Sequence, residues 1–268
     1  METIKLSSGY SIPILGLGTW QLKGQRCTEI VKNAIEEGYT HIDTAWIYEN
    51  QEEIAPAIAE HERKKLFITS KLWRDQLSYS DVLEQCDETL SQLGIDYLDL
   101  YLIHWPNKDI PMEETFNALA KLATDGKVKS IGVSNFTITH LKKALGISKI
   151  PITMNQVEYH PYLNQEDLLA YCNDNNITLT AYSPLGRGIV LKDRVILAIA
   201  ERKKKTPAQV ALRWLIQKGI IVIPKTTREE RLPENLLALD ITLTAEEMKQ
   251  IDTLNRNERI VHPGFAEF

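Results

Sequence analysis

The sequence is poor in cysteine, and its three cysteines lie far apart. Cys27, Cys86 and Cys172 are odd in number and form no C-x-x-C pair. A disulfide framework needs an even set of cysteines, and a zinc site needs closely spaced ligands. The histidines show no H-E-x-x-H or paired spacing either. We therefore expect reduced thiols in a reducing, cytoplasmic compartment, and no metal site.

Long apolar runs and an excess of positive charge are lacking as well. No run of about 18 apolar residues occurs, which excludes a transmembrane helix. The opening segment METIKLSSGY has no basic stretch followed by an apolar one, so no secretory signal is predicted. The formal net charge is −5, which is unfavourable for binding nucleic acid or an anionic membrane. Neither is expected as a partner.

Linkers are the third missing feature. No proline-, serine- or glycine-rich segment and no low-complexity stretch divides the 268 residues. Hydrophobic residues make up 43% of the chain and charged residues 25%, which is ordinary for a soluble globular protein. Because one large α/β domain can be this long, we expect a single domain over residues 1–268.

Short apolar runs alternate along the chain with segments of helical spacing. Strands that alternate with helices predict a parallel sheet, either open and doubly wound or closed into a barrel. No run is followed by G-x-G-x-x-G, the dinucleotide-binding fingerprint of the open sheet. Eight units at this length favour a (β/α)8 TIM barrel. The runs are ILGLGTW (14–20), HIDTA (41–45), LFITSKL (66–72), YLDLYLIHW (97–105), VKSIGVSNF (128–136), TMNQVEY (153–159), ITLTAYSPLG (177–186) and IIVIPKTT (220–227).

Both ends of the chain add something to the barrel. The segment KLSSGYSIPIL has a Ser-Ser-Gly turn signal between extended runs and predicts an N-terminal hairpin. The segment TAEEMKQIDTLN predicts an extra C-terminal helix, because Thr244 and Glu247 form a capping-box pattern. A tail follows that helix, and its path cannot be read from the sequence.

Polar or aromatic residues stand at the ends of seven predicted strands. Each one alone has an ordinary structural explanation, such as a helix cap, a solvated lysine or a core histidine. In a barrel, however, the carboxyl ends of all strands meet on one face, where ligands bind. We therefore expect the following residues to converge: Asp43, Lys71, His104, Ser134, Asn135, Gln156, Tyr182, Ser183 and Lys225.

Several segments at these positions resemble the signatures of the aldo-keto reductase superfamily. They are GYTHIDTAWIYENQEEI (38–54), ITSKLW (68–73), LDLYLIHWP (98–106), IGVSNF (131–136), NQVEYHPYL (155–163), AYSPLGRG (181–188) and IPKTTREERLPEN (223–235). The resemblance covers almost the whole chain in the family's order and spacing. The short chain and short loops look most like the bacterial branch that includes 2,5-diketo-D-gluconate reductases. The resemblance implies a monomeric enzyme that reduces aldehydes or ketones, such as α-dicarbonyls or keto-sugar acids.

The resemblance implies four catalytic residues, namely Asp43, Tyr48, Lys71 and His104. Hydride transfer to a carbonyl leaves an oxyanion that needs a proton donor, and Tyr48 is the expected acid. The pKa of a free tyrosine is too high for easy donation, so Lys71 is expected to lower it. Asp43 is expected to pair with Lys71. His104 is expected to donate a hydrogen bond that orients the carbonyl oxygen.

The resemblance also implies a nicotinamide cofactor. Ser134, Asn135 and Gln156 match the residues that bind the carboxamide, and Tyr182 matches the aromatic residue that stacks on the ring. Lys225, Thr226 and Arg231 would meet an adenosine 2′-phosphate, so NADPH is expected rather than NADH. The remaining matched cofactor residues are Gly18, Thr19, Ser183, Leu185, Gly186, Glu234 and Asn235.

The substrate pocket is expected to be aromatic, with walls from Trp20, Trp46, Trp73 and Trp105. Two other functions remain open. Some proteins of this fold bind the cofactor while serving as nucleotide-sensing subunits. A barrel isomerase or aldolase would instead use Lys71 as a Schiff-base nucleophile.

Overall fold

The computed structural model describes residues 2–268. An antiparallel hairpin opens this part of the chain, formed by β1 (Thr3–Lys5) and β2 (Ser11–Pro13). Ile4 pairs with Ile12 across the two strands. The turn is closed by the Leu6 amide, which donates to the Tyr10 carbonyl at 2.8 Å. The predicted N-terminal hairpin is confirmed.

Eight parallel strands follow, and each one pairs with the next in chain order. The first and last strands are joined by a parallel bridge between Leu15 and Val222. The Gly16 amide donates to the Val222 carbonyl at 2.9 Å. The predicted (β/α)8 barrel is confirmed, and so are all eight strand positions. The strands are β3 (Leu17–Gly18), β4 (His41–Asp43), β5 (Phe67–Leu72), β6 (Leu100–Ile103), β7 (Ile131–Ser134), β8 (Ile152–Glu158), β9 (Thr178–Tyr182) and β10 (Ile221–Val222).

Ten helices accompany the strands in the described part of the chain, and eight of them precede β10. The last two follow it, and the final helix begins at the predicted capping box, where Thr244 and Glu247 bond reciprocally at 2.8 and 3.2 Å. The helices are α1 (Gly24–Glu36), α2 (Gln51–Ala59), α3 (Tyr79–Leu93), α4 (Met112–Thr124), α5 (Ile138–Ile147), α6 (Glu166–Asp174), α7 (Arg194–Lys203), α8 (Pro207–Gln217), α9 (Arg231–Leu236) and α10 (Ala245–Asp252).

The core lies inside the barrel and between the barrel and its helices. Every residue of β5 and of β8 is buried, as expected for parallel strands that are covered on both faces. Helix α3 buries Val82, Cys86 and Leu90 at helical spacing. It ends at Gly94, whose φ of +63° is a left-handed conformation that glycine adopts at little cost.

The three cysteines lie in α1, α3 and α6, and all are buried and unpaired. Burial raises the pKa of Cys27, Cys86 and Cys172 to about 12, so each stays a neutral thiol at physiological pH. Within residues 2–268, no helix has the length and apolar character needed to cross a bilayer.

Candidate active site

Backbone strain concentrates at the carboxyl ends of the barrel strands. Five non-glycine residues in the loops there have positive φ, which costs free energy and often marks functional sites. They are Gln21 (63°), Glu49 (48°), Asn135 (62°), Ser183 (47°) and Arg187 (51°). The predicted site residues lie in or beside these loops.

The centre of this face is a buried ion pair between Lys71 on β5 and Asp43 at the end of β4. The Lys71 ammonium donates to Asp43 Oδ1 at 2.5 Å and to the Thr44 carbonyl at 2.8 Å. The other carboxylate oxygen accepts from Gln156 Nε2 at 2.7 Å. Burial lowers the pKa of Lys71, and the charge of Asp43 opposes that effect. The pair therefore has the partners that a buried charge requires.

Tyr48 lies in a short helical turn, Trp46–Tyr48, that follows β4. Its ring is half-buried, and the ring centroid is 5.0 Å from Lys71 Nζ. The ring of His104 meets it edge-on, with centroids 5.6 Å apart and planes at 76°. Tyr48, Lys71 and His104 therefore form one cluster, as their positions in the sequence predict.

Asn50, which was not predicted from the sequence, links this turn to the loop that follows β3. Its side-chain amide donates to the carbonyls of Thr19 and Leu22 at 2.9 and 3.1 Å. Its carbonyl oxygen accepts from the Thr44 hydroxyl at 2.9 Å. Asn50 is fully buried, so these bonds hold the chain just beyond Tyr48 in place.

The pKa of Tyr48 is raised rather than lowered, which corrects the expectation from the sequence. Burial is the main cause, and the negative charge of Asp43 is the second. The raised pKa keeps Tyr48 protonated at neutral pH.

His104 follows β6 and is buried beside Tyr48 and Trp73. Burial, followed by the positive charge of Lys71, holds its pKa well below the ordinary value. The imidazole is therefore neutral near pH 7 and carries a single N–H. Its backbone is anchored on both sides, because the His104 amide donates to Leu72 and its carbonyl accepts from Asn135.

The three predicted carboxamide ligands form a hydrogen-bonded network with Tyr182. The Asn135 amide nitrogen is 3.1 Å from Ser134 Oγ, and its oxygen accepts from the Tyr182 hydroxyl at 2.8 Å. Ser134 Oγ donates to the Gln156 carbonyl at 2.8 Å. Since Gln156 also bonds Asp43, the network joins directly to the ion pair. The structure brings all four residues together, with Gln156 joining the network through its backbone carbonyl.

Gly18 and Thr19, at the end of β3, both make close contacts with neighbouring segments of the barrel. A Cβ atom on Gly18 would lie 2.7 Å from the Ile223 carbonyl oxygen, so close strand approach alone requires glycine here. The Thr19 hydroxyl donates to the Asp43 carbonyl at 2.9 Å. After β9, Ser183, Leu185 and Gly186 lie in an irregular loop in which Gly186 has φ +53°.

The predicted phosphate ligands follow β10. Lys225 and Arg231 are exposed, and within residues 2–268 neither forms an ion pair. The Thr226 hydroxyl closes a turn with the Arg228 backbone at 2.9 Å. Glu234 and Asn235 lie in α9, and Asn235 is buried. Two uncompensated cations at one end of the site fit an anionic group.

The four predicted pocket tryptophans have different surroundings. Trp73 packs edge-on against His104 with centroids 5.6 Å apart, and Trp105 is buried nearby. Trp46 is half-buried and donates to Glu88 at 2.8 Å. Trp20 is 41% exposed, and the Arg187 guanidinium lies 4.7 Å from its ring. Trp73 and Trp105 therefore have the most direct relation to His104.

The C-terminal tail completes the aromatic wall, which the sequence did not reveal. Phe265 packs edge-on against both tryptophans, with ring centroids 5.9 Å from Trp73 and 5.4 Å from Trp105. Phe268 is 5.8 Å from Trp105. The tail thus closes over the mouth beside His104.

Glu158, at the end of β8, holds this tail in place. Its side chain is fully buried and accepts from the amides of Ile260 and Val261, both at 2.7 Å. His160 Nε2 is 3.0 Å from the same carboxylate. Burial opposes ionisation, but these hydrogen bonds outweigh it and lower the pKa of Glu158. A charged residue inside the run TMNQVEY was the signal available in the sequence.

A closed barrel in which a tyrosine, a buried ion pair and a neutral imidazole converge on the carboxyl face has the architecture of a (β/α)8 barrel enzyme. The model of the Aldo/keto reductase family matches residues 14–256. The chain belongs to this family of oxidoreductases.

Relatives and solved structures are similar to this chain over almost its whole length. The chain is 45% identical to the glyoxal reductase of Bacillus subtilis (strain 168), covering 97% of this chain and 95% of that protein. An aldo-keto reductase from a Medee basin deep-sea metagenome library has a TM-score of 0.93 at 42% identity, with 97% of each chain covered. The aldose reductase of Schistosoma japonicum has a TM-score of 0.92 at 39% identity, covering 97% of this chain and 94% of that one. The family is confirmed, and the resemblance to the 2,5-diketo-D-gluconate reductase branch stays a prediction.

Proposed function

We propose that the protein reduces aldehydes or ketones to alcohols with NADPH. The observation that carries the proposal is the cluster of Tyr48, the Lys71–Asp43 pair and neutral His104. Membership of the family supports carbonyl reduction. Relatives named as glyoxal reductase and aldose reductase support aldehydes as one class of substrate.

Bound NADPH would supply a hydride to the carbonyl carbon. Tyr48 would protonate the carbonyl oxygen as negative charge develops there, which completes the alcohol. The phenol is protonated at neutral pH because burial raises its pKa, so the proton is available at the start of each turnover. Solvent then returns the proton to Tyr48.

His104 and the ion pair have supporting roles in this mechanism. A neutral imidazole offers one N–H, and a hydrogen bond from it would fix the carbonyl oxygen and stabilise its developing charge. Lys71 would stabilise the phenolate that Tyr48 becomes after donation, since its ammonium is 5.0 Å from the ring centroid. Asp43 keeps that ammonium buried and oriented.

The cofactor assignment rests on residues outside the tetrad. Ser134, Asn135 and Gln156 would hold the carboxamide, and the ring of Tyr182 would stack on the nicotinamide. Lys225 and Arg231 have no ion-pair partner within residues 2–268, so both are available to a 2′-phosphate. NAD lacks that phosphate, which is why we propose NADPH.

A Schiff-base mechanism is the less favoured alternative. The Lys71 amine is fully buried and donates to Asp43 and Thr44, so a substrate carbonyl has no access to it. A purely nucleotide-sensing role would not require a proton donor beside a neutral imidazole.

The test is a comparison of cofactors with a panel of carbonyl compounds that includes glyoxal and a keto acid. We expect NADPH absorbance to fall with at least one of them, and NADH to be used far less well. Replacing Lys225 and Arg231 with Met should weaken NADPH binding by about 10- to 100-fold for each cation lost. The use of NADH should not change. Lys249→Met, which removes an exposed lysine of α10, is the matched control. Equal use of both cofactors by the unmodified protein would contradict the assignment of NADPH.

A further inference from the structure

Arg74 borders the proposed substrate pocket and has no role in the mechanism above. It follows Trp73, whose ring packs against His104. The Arg74 guanidinium carbon is 4.5 Å from the ring centroid of Phe265, the tail residue that also contacts Trp73 and Trp105. Only 17% of the Arg74 side chain is exposed. A cation therefore stands in the aromatic wall that borders the catalytic histidine.

Most of the donors of this guanidinium are unused. Nη1 is 3.1 Å from Asp75 Oδ1, and Arg74 makes no other side-chain hydrogen bond within residues 2–268. Nε is shielded from solvent and has no partner. A buried charged donor without a partner is costly and calls for an explanation. Asp75 compensates little, because 61% of its side chain is exposed and such pairs are weak.

The unused donors are arranged for a carboxylate. Nε and Nη2 form one edge of the guanidinium, and two parallel hydrogen bonds from such an edge match the two oxygens of a carboxylate. Asp75 occupies the other side, at Nη1. A single arginine edge carries one positive charge, which suits a monoanionic carboxylate better than a dianionic phosphate.

We propose that Arg74 is an anion subsite that binds the carboxylate of an oxo-acid substrate while its carbonyl lies at Tyr48 and His104. This inference rests on the proposed reductase function and names the class of substrate. Phe265 and Trp73 would cover the carbon chain between the two ends. The subsite would make a carboxylated aldehyde a better substrate than a neutral aldehyde of the same shape.

The test uses two aldehydes, 4-oxobutanoate and its methyl ester, of which only the first carries a negative charge. We expect the unmodified protein to reduce the acid with the higher kcat/KM. In Arg74→Gln, kcat/KM for the acid should fall by about 10- to 100-fold, mainly through a higher KM. The value for the ester should stay within about twofold, because the ester makes no charged contact with Arg74. For the acid, kcat/KM of Arg74→Lys should lie between the values of the unmodified protein and of Arg74→Gln. Lysine keeps the charge but lacks the edge that bonds two oxygens.

Controls separate this subsite from a general loss of structure. The ester reports on folding and catalysis in every variant, so a loss shared by both probes would overturn the subsite. Arg256→Gln removes another ring-stacked arginine, 3.7 Å from Tyr162, and should leave the preference unchanged. Equal kcat/KM for both probes in the unmodified protein would overturn the subsite while the reductase function stands. Failure to reduce any carbonyl would overturn both.

Discussion

The ammonium of Lys71 lies 2.5 Å from Asp43 Oδ1, and both side chains are withdrawn from solvent, at 0% and 2% exposed. Gln156 and the Thr44 carbonyl supply the further hydrogen bonds that such a pair needs. The pair is thus a structural support as well as part of the site. Its two roles can be separated by measuring stability and turnover in the same variants.

Removing one charge of this pair should destabilise the protein strongly. Lys71→Met leaves Asp43 as a buried charge without its partner. We therefore expect the free energy of unfolding to fall by about 3–5 kcal/mol. The double variant Lys71→Met, Asp43→Leu should recover part of that loss, because no unpaired charge remains. Urea unfolding measures the stability of both variants.

A surface pair is the control for that experiment. Lys121 and Asp125 are also 2.5 Å apart, but their side chains are 51% and 34% exposed. Lys121→Met should change stability by less than about 1 kcal/mol. Similar losses at Lys71 and Lys121 would show that the buried pair has no special importance.

Tyr48→Phe should separate turnover from cofactor binding. The ring can still pack on His104 and near Lys71, so the fold should be unchanged. Losing the hydroxyl removes the proton donor, and kcat should fall by about 10²- to 10⁴-fold. Steady-state kinetics measure the loss, and NADPH fluorescence titration measures binding. A variant with near-normal kcat would exclude Tyr48 as the acid.

Glu158→Gln should loosen the tail. An amide NH2 would face the Ile260 or Val261 N–H, and a fully buried side chain has no solvent to relieve that contact. Trypsin should then cut after Arg259 faster, and KM for bulky aldehydes should change more than kcat for small ones. The test pairs limited proteolysis with kinetics on both substrate sizes.

Glu267→Gln is the matched control for the tail. Glu267 also binds a histidine, at 3.1 Å from His140 Nε2, but it is exposed. Cleavage after Arg259 should be unchanged in this variant. If Glu158→Gln behaved like Glu267→Gln, the buried carboxylate would not be what holds the tail.

His41 should make stability depend on pH. Burial, opposed in part by Asp43, lowers its pKa to about 4 from an ordinary value of 6.5. A histidine with a lowered pKa contributes full stability above the unfolded pKa and loses it as pH falls toward the folded pKa. Between about pH 6.5 and 4 the protein should therefore lose about 3 kcal/mol through this residue.

His41→Asn should remove that part of the slope, as seen in urea unfolding at several pH values. An unaltered slope in His41→Asn would assign the acid sensitivity to other groups, such as His104.

The periodicity of the sequence, together with its length and the absence of G-x-G-x-x-G, was enough to predict the barrel. Apolar runs that alternate with helical spacing leave few topologies, and parallel strands place their carboxyl ends on one face. This is why Asp43, Lys71, His104 and Gln156 were expected to meet although they are far apart in the chain. The hairpin and the Thr244 capping box followed from local turn and cap chemistry.

Other features depended on contacts between distant segments, which no local pattern encodes. The pKa of Tyr48 is raised by burial and by the negative charge of Asp43, so the direction of its shift was predicted wrongly. The tail lies over the mouth because Glu158, about a hundred residues earlier, accepts its amides. The same packing brings Phe265 onto Arg74. The sequence alone determined the fold and the reactive groups, while tertiary packing decided their protonation and the shape of the pocket.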